Sequence, residues 1–310
     1  MLFGIWPGVV AADLVELTPL ATPPEDVERT RAALDRLQGG AAQFYIRCYR
    51  HFRGLGAPEQ GVDAAPVDPG NYAGHGRLID LTACYRATEP DPVGYAEFVR
   101  QAVRDVAEWG GGKVQVGEEL NVPAPLDGGF LGCFEAVAAG MAAGIDERDR
   151  LGVNVAIGVN GAGVADPGFW TTMVDALGPD STARLDFIGL DMFPDVFRPI
   201  PEDKVGLGAQ YLVRTLRQVT RDVGISEATP IHVTETGWPT DRTRDEEKQA
   251  RILHAVAEAV AATGEVSVYE LFSLRDGISD GSWQNGFGLL HDDYTPKPAY
   301  DTIRRLIEAS

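Results

Sequence analysis

Ile231-His232-Val233-Thr234-Glu235-Thr236-Gly237-Trp238-Pro239 is a short run of branched, strand-forming residues that stops on a carboxylate and breaks into a Gly-Trp-Pro turn. Such a run, bounded by turn formers, reads as a buried strand of a parallel sheet. A carboxylate at the end of a buried strand is costly unless it is solvated or paired. An earlier stretch has the same design: Val114-Gln115-Val116-Gly117-Glu118-Glu119-Leu120-Asn121-Val122-Pro123. Taken singly, either glutamate reads equally well as a solvated loop residue. Together they matter more, because chemistry in α/β barrels sits at the C-terminal ends of the strands.

Strand-like and helix-like stretches alternate along the whole chain. The strand candidates are Leu2–Trp6, Ala42–Cys48, Leu78–Ala83, Lys113–Gly117, Gly152–Val159, Leu185–Leu190, Ile231–Thr234 and Val266–Phe272. Between them, apolar residues recur at three- and four-residue steps. Tyr95, Val99, Ala102, Val103 and Val106 make one such stripe; Leu212, Leu216, Val219 and Val223 a second; Tyr300, Ile303, Leu306 and Ile307 a third. Each is one helix face laid against a sheet. Helix starts are expected at Thr22-Pro23-Pro24-Glu25, Asp91-Pro92, Asp166-Pro167, Thr295-Pro296 and the Thr243/Glu246 capping box. His51 to Gly76 lacks a helical period and reads as a long loop on the active-site side, with room for a short helix. Eight strands with helices between them predict one (β/α)8 TIM barrel spanning residues 1–310, in the α/β class. The 310 residues suffice, since such a barrel needs about 250.

Acidic residues number 46 against 27 basic ones, a formal net charge of −19. That surface repels nucleic-acid phosphates and anionic lipid headgroups, so neither nucleic acid nor membrane is expected as a partner. Cys48, Cys84 and Cys133 form no C-x-x-C pair, which argues against a disulfide framework or a zinc site. No apolar run is long enough to span a bilayer, and Met1-Leu2-Phe3-Gly4-Ile5-Trp6-Pro7 lacks the order of a secretory leader. A cytoplasmic location is therefore expected, or secretion if a leader has been removed.

The Thr-Glu-Thr-Gly-Trp-Pro string resembles the nucleophile strand of the clan A glycoside hydrolases, which include cellulases, β-xylosidases and β-galactanases. The segment around Glu119 resembles their acid/base strand. Leu185-Asp186-Phe187-Ile188-Gly189-Leu190-Asp191-Met192-Phe193-Pro194 resembles their sixth strand, and Phe287 to Tyr300 resembles the entry to their last helix. The four matches occur in the clan's chain order. The resemblance implies a retaining hydrolase or transglycosylase acting on a β-glycoside. Glu119 would be the general acid/base and Glu235 the nucleophile, about 5–5.5 Å apart. It implies that Arg47, late in the second strand, supports the nucleophile, with Arg50 as a rival. Trp238 and Trp283 offer faces for sugar stacking, although Trp238 reads more simply as packing. No metal or cofactor is expected, and the expected partner is a small-molecule or oligosaccharide substrate.

The chain departs from the clan at several supports of this chemistry. Glu118 stands where an Asn usually precedes the acid/base. Asp191 and Phe193 replace the His or Asn and the Tyr that end the sixth strand. Leu271 and Phe272 stand where the eighth strand usually offers a Trp. With Glu119 and Glu235, the substitutions bring four carboxyl groups to one mouth. An amine on the substrate, such as an amino sugar held by Glu118 or Asp191, would answer that charge; so would one of the two turning away or pairing with Arg47 or Arg50. Strand alternation would send Glu118 and Glu119 to opposite faces, unless the strand end is irregular. Gly158-Val159-Asn160-Gly161-Ala162-Gly163 reads as a turn, and His232 as a packing residue that alternates away from Glu235. Two other readings stand beside the glycosidase: a barrel that binds a saccharide or glycosylated metabolite without cleaving it, and one recruited to different acid/base chemistry.

Overall fold

The structure is a computed structural model and describes residues 1–13, 18–54 and 66–310. Eight parallel strands close into a barrel. They are β1 (Leu2–Ile5), β2 (Phe44–Phe52), β3 (Arg77–Tyr85), β4 (Gly112–Val116), β5 (Val155–Ala162), β6 (Phe187–Asp191), β7 (Ile231–Thr236) and β8 (Val266–Leu271). Each pairs with its successor, and β1 closes the ring by pairing with both β8 and β2. Closure leaves no strand with an unpaired edge. All eight expected strands are in the ring. Among the described residues, seven α-helices cover it: α1 (Val27–Gln38), α2 (Pro92–Glu108), α3 (Cys133–Leu151), α4 (Gly168–Ala183), α5 (Val205–Asp222), α6 (Glu246–Ala261) and α7 (Pro298–Glu308). Among the described residues, no helix is long and apolar enough to cross a membrane.

The helix between β2 and β3 is missing among the described residues, and a 3₁₀ turn at Pro69–Tyr72 is found in that connection. Residues 55–65 of the expected loop lie outside the described residues. β2 runs on to Phe52, so His51 belongs to the strand, and Arg47 sits in its middle rather than near its end.

The expected helix starts need adjustment. Asp91 caps α2 as expected, accepting from the Gly94 amide. Asp166 accepts from the Gly168 amide, where α4 begins. Asp26 rather than Thr22 caps α1, because its carboxylate takes the Arg29 amide. Thr243 is held by Asp241 through its amide and hydroxyl, leaving Asp245 to cap α6. Pro296 bridges to Leu290 and the Lys297 amide donates to Leu289, so α7 begins two residues later, at Pro298.

The helix stripes bury against the outside of the barrel, with Tyr95, Val99, Val103, Leu216, Ile303 and Ile307 among the fully covered residues. The inside is charged. Lys113 lies 2.6 Å from Glu270 and 3.3 Å from Asp80, and Asp80 lies 2.7 Å from Arg47. Burial opposes ionisation of Asp80, but Lys113 and Arg47 outweigh it and hold the carboxyl below its ordinary range. Burial and Asp80 push Glu270 up to about 8. His232 stacks on Phe187 beside Lys113, and burial keeps it neutral. It packs as expected, but on the inner face of the barrel and not away from Glu235, because an irregularity later in β7 turns Glu235 to the same side.

Candidate active site

Near its C-terminal end, after Val233, β7 carries one residue more than the facing stretch of either neighbour. Leu190 pairs with Val233 and Asp191 with Glu235, while Tyr269 pairs with Val233 and Leu271 with Thr236. This bulge breaks the two-residue alternation, so Thr234 and Glu235 both turn inward. There, Tyr49 donates a 2.5 Å hydrogen bond to Glu235 Oε1, and Arg47 Nη2 approaches the same oxygen at 3.3 Å. Arg47 also donates to the Tyr49 hydroxyl (2.7 Å), to Asp80 and to Gln115. It is 1% exposed. Burial disfavours its charge, but Tyr49, Asp80 and Glu235 more than restore it. Arg50 instead donates to the carbonyls of Tyr49, Pro66 and Val67.

The end of β4 is irregular as well. Gly117 and Glu119 adopt positive φ values of 81° and 40°. The first suits glycine; the second is unusual for a residue with a side chain. Together they let Glu118 and Glu119 face the same mouth. The loop behind presses close: a Cβ on Gly128 would lie 1.7 Å from the Glu118 carbonyl oxygen. Glu118 is paired with neither Arg47 nor Arg50. Arg86 holds it at 2.6 Å and bridges to Asp127 at 2.7 Å, while the Cys84 thiol lies 3.1 Å from the same oxygen. The two Cys-Tyr-Arg triplets are therefore not equivalent. Tyr49 faces the mouth from β2, whereas Tyr85 packs on Phe52 and Tyr95.

Gly158 to Gly163 is not the expected turn, for β5 runs through Ala162 and delivers Asn160 to the site. Asn160 accepts from the Glu119 amide and donates to Asp191, whose other oxygen accepts from Thr234 Oγ1 at 2.6 Å. One oxygen each from Glu119, Asp191 and Glu235 lie within 4.8 Å of one another. Burial, then Asp191 and other carboxyl groups, raise Glu119 well above the usual carboxylate range. Burial and Glu235 do the same to Asp191. Burial and Asp127 push Glu118 up against the pull of Arg86.

Aromatic rings line the approach to Glu235. Trp6 meets Tyr49 edge-on and stacks on Phe272, with centroids 4.7 Å apart. Phe272 touches Phe193 and Phe287, and Phe193 leads to Phe197, which meets Trp283. Phe197 ends the row 68% exposed. Trp238 is excluded from it: it is buried, its indole N–H reaches Asp195, and Arg244 and Lys248 cover its ring.

Reasoning from sequence thus missed Tyr49, Arg86, Asp127, Asn160 and Phe272 as parts of the site. Tyr49 carried a signal, since it follows Arg47 by two residues and so shares its face. Asn160 was hidden by the glycines around it.

No protein-family model matches the chain, and no curated protein matches it. Solved structures do. GH5_18 from Bifidobacterium longum subsp. infantis superposes with a TM-score of 0.64 at 14% identity, over 100% of this chain and 79% of that one. GH5_18 from Streptomyces cattleya in complex with Manb1-4GlcNAc gives 0.62 at 15% identity, over 99% and 80%. A fungal β-1,4-galactanase gives 0.61 at 15% identity, over 98% and 99%. The fold, a closed (β/α)8 barrel, is shared with these solved structures.

Proposed function

We propose that this chain is a retaining glycoside hydrolase or transglycosylase acting on a β-glycoside, with Glu235 as nucleophile and Glu119 as general acid/base. The observation that carries the reading is the opposition of two carboxyl groups within 4.8 Å in unlike surroundings. Glu235 has a cation and a phenol on one oxygen, which orient the carboxyl group and leave the other oxygen to attack the anomeric carbon. Glu119 has no cation bonded to it, and burial and neighbouring carboxylates keep its proton in place. Attack by Glu235 forms a glycosyl ester as Glu119 protonates the leaving oxygen. Glu119 then takes a proton from water, or from an acceptor hydroxyl, as the ester opens.

The solved structures support a saccharide as substrate, since one of them holds Manb1-4GlcNAc. The aromatic row supports it too, because flat rings pack well on sugar C–H faces. A substrate amine is less well supported. Glu118 is engaged by Arg86, and Asp191 by Asn160 and Thr234, so neither waits for a cation. Comparing an amino-sugar glycoside with its hydroxyl analogue tests it; a preference for the amine that shrinks in Glu118→Asn is the outcome it requires.

The function is tested on a panel of aryl β-glycosides. Glu235→Gln should abolish turnover, because an amide cannot form the ester. Glu119→Gln should slow poor leaving groups far more than activated ones, which need little protonation. Saccharide binding without turnover by the wild type would favour the non-hydrolytic barrel. Wild-type rates in both variants would remove the assignment.

A further inference from the structure

Asp191 stands where the clan mostly has a neutral residue, and it cannot turn away. Asn160 holds one of its oxygens and Thr234 the other, and Asn160 also holds the Glu119 backbone amide. Asp191 and Glu119 are thus tied to one side chain, with carboxyl oxygens within 4.8 Å. Their surroundings differ in one respect. Asp191 receives two side-chain donors, which favour its anion, whereas Glu119 receives none among the described residues. When the pair loses its first proton, Asp191 takes the charge.

We propose that Asp191 is a positioning residue for the proton: of the pair it ionises first, and its negative charge then keeps Glu119 protonated, and so able to act as an acid, where a lone carboxyl would have ionised. The proposal rests on the glycosidase reading of the same site. The groups acting on Glu119 are Asp191 from β6, Asp127 from the loop after β4, Glu235 from β7 and its own neighbour Glu118; the cations bonded to those carboxylates are Arg47 from β2 and Arg86, just past the end of β3. Both arginines are already committed, Arg47 to Asp80 and Glu235 and Arg86 to Glu118 and Asp127. Arg47 also acts on Asp191 and favours its anion, and neither arginine is among the main influences on Glu119. After burial, Asp191 is the largest influence raising Glu119.

A unit charge at this range, screened as in a protein site, moves a neighbouring ionisation by about one to two pH units. The test titrates Glu119 directly, by carbon NMR of protein labelled at glutamate carboxyls, in wild type, Asp191→Asn and Asp191→Ser. The serine variant puts no amide opposite Asn160 and serves if the asparagine variant does not fold. Glu119→Gln identifies the signal. Removing the charge should lower the Glu119 midpoint by about one to two units, and the basic limb of kcat/KM on a poor leaving group should move down with it. An unmoved or raised midpoint in a folded variant overturns the proposal. A lowered midpoint in a protein that cleaves no glycoside leaves the electrostatic claim standing and removes the glycosidase reading instead.

Discussion

Tyr49 accepts from Arg47 and donates to Glu235, so a single hydroxyl passes the orientation of a buried cation on to the proposed nucleophile. The clan usually brings a hydroxyl to this place from the sixth strand, where this chain has Phe193. Here the hydroxyl comes from β2 instead, next but one to the arginine. A hydrogen bond to a charged group contributes about 1.5–3 kcal/mol. Tyr49→Phe should therefore lower kcat by about ten- to a hundredfold, with a smaller effect on KM, because the ring keeps its place against Trp6. Steady-state kinetics on one aryl glycoside checks this, and an unchanged kcat would mean the hydroxyl does not act on the nucleophile.

At the scale of the element, regular parts of the fold were legible in the sequence and irregular parts were not. Branched runs and apolar stripes place eight strands and most of the helices, because burial on one face requires those periods. The site uses exceptions to the periods. The β7 bulge and the positive φ values at Gly117 and Glu119 turn side chains against simple alternation, while Asn160, in regular strand, is masked by the glycines near it. Helix starts misread at Thr243 and at Thr295-Pro296 failed for a related reason, since competing local bonds at Asp241 and at Pro296 absorbed the backbone groups that a cap would use. The loop behind β4 gives an element-level prediction. Gly128→Ala would drive a Cβ into the Glu118 carbonyl and shift the segment that carries Glu119. A displacement on the order of 1 Å there should cost about a hundredfold in kcat. Kinetics and thermal unfolding should show activity falling further than stability; an alanine variant with full activity would contradict the close approach.

Across the whole molecule, charges of alternating sign run from Glu270 through Lys113, Asp80 and Arg47 to Glu235. A buried chain of this kind is costly to break at one link. Lys113→Met should destabilise the protein by about 3–5 kcal/mol, read from denaturant unfolding, because it leaves Asp80 and Glu270 without their shared cation. The same chain sets a pH dependence. Glu270 ionises near 4.5 when unfolded and at about 8 in the fold. Between those values the folded state holds a proton that the unfolded state has released, so stability is fully present below 4.5 and falls as pH rises toward 8. Glu270→Gln should flatten the slope of Tm against pH in that window, though Glu119, Asp191 and Glu118 shift the same way and preserve part of it. An identical slope in the variant would show that Glu270 does not titrate there. The central claim, that Glu235 forms a covalent bond to the sugar, is tested most directly by mass mapping after reaction with an activated 2-deoxy-2-fluoro β-glycoside of a sugar the protein cleaves. The account predicts one glycosyl group on the peptide containing Glu235, absent in Glu235→Gln; a glycosyl ester on another residue, or release of the sugar with inverted configuration, would contradict it.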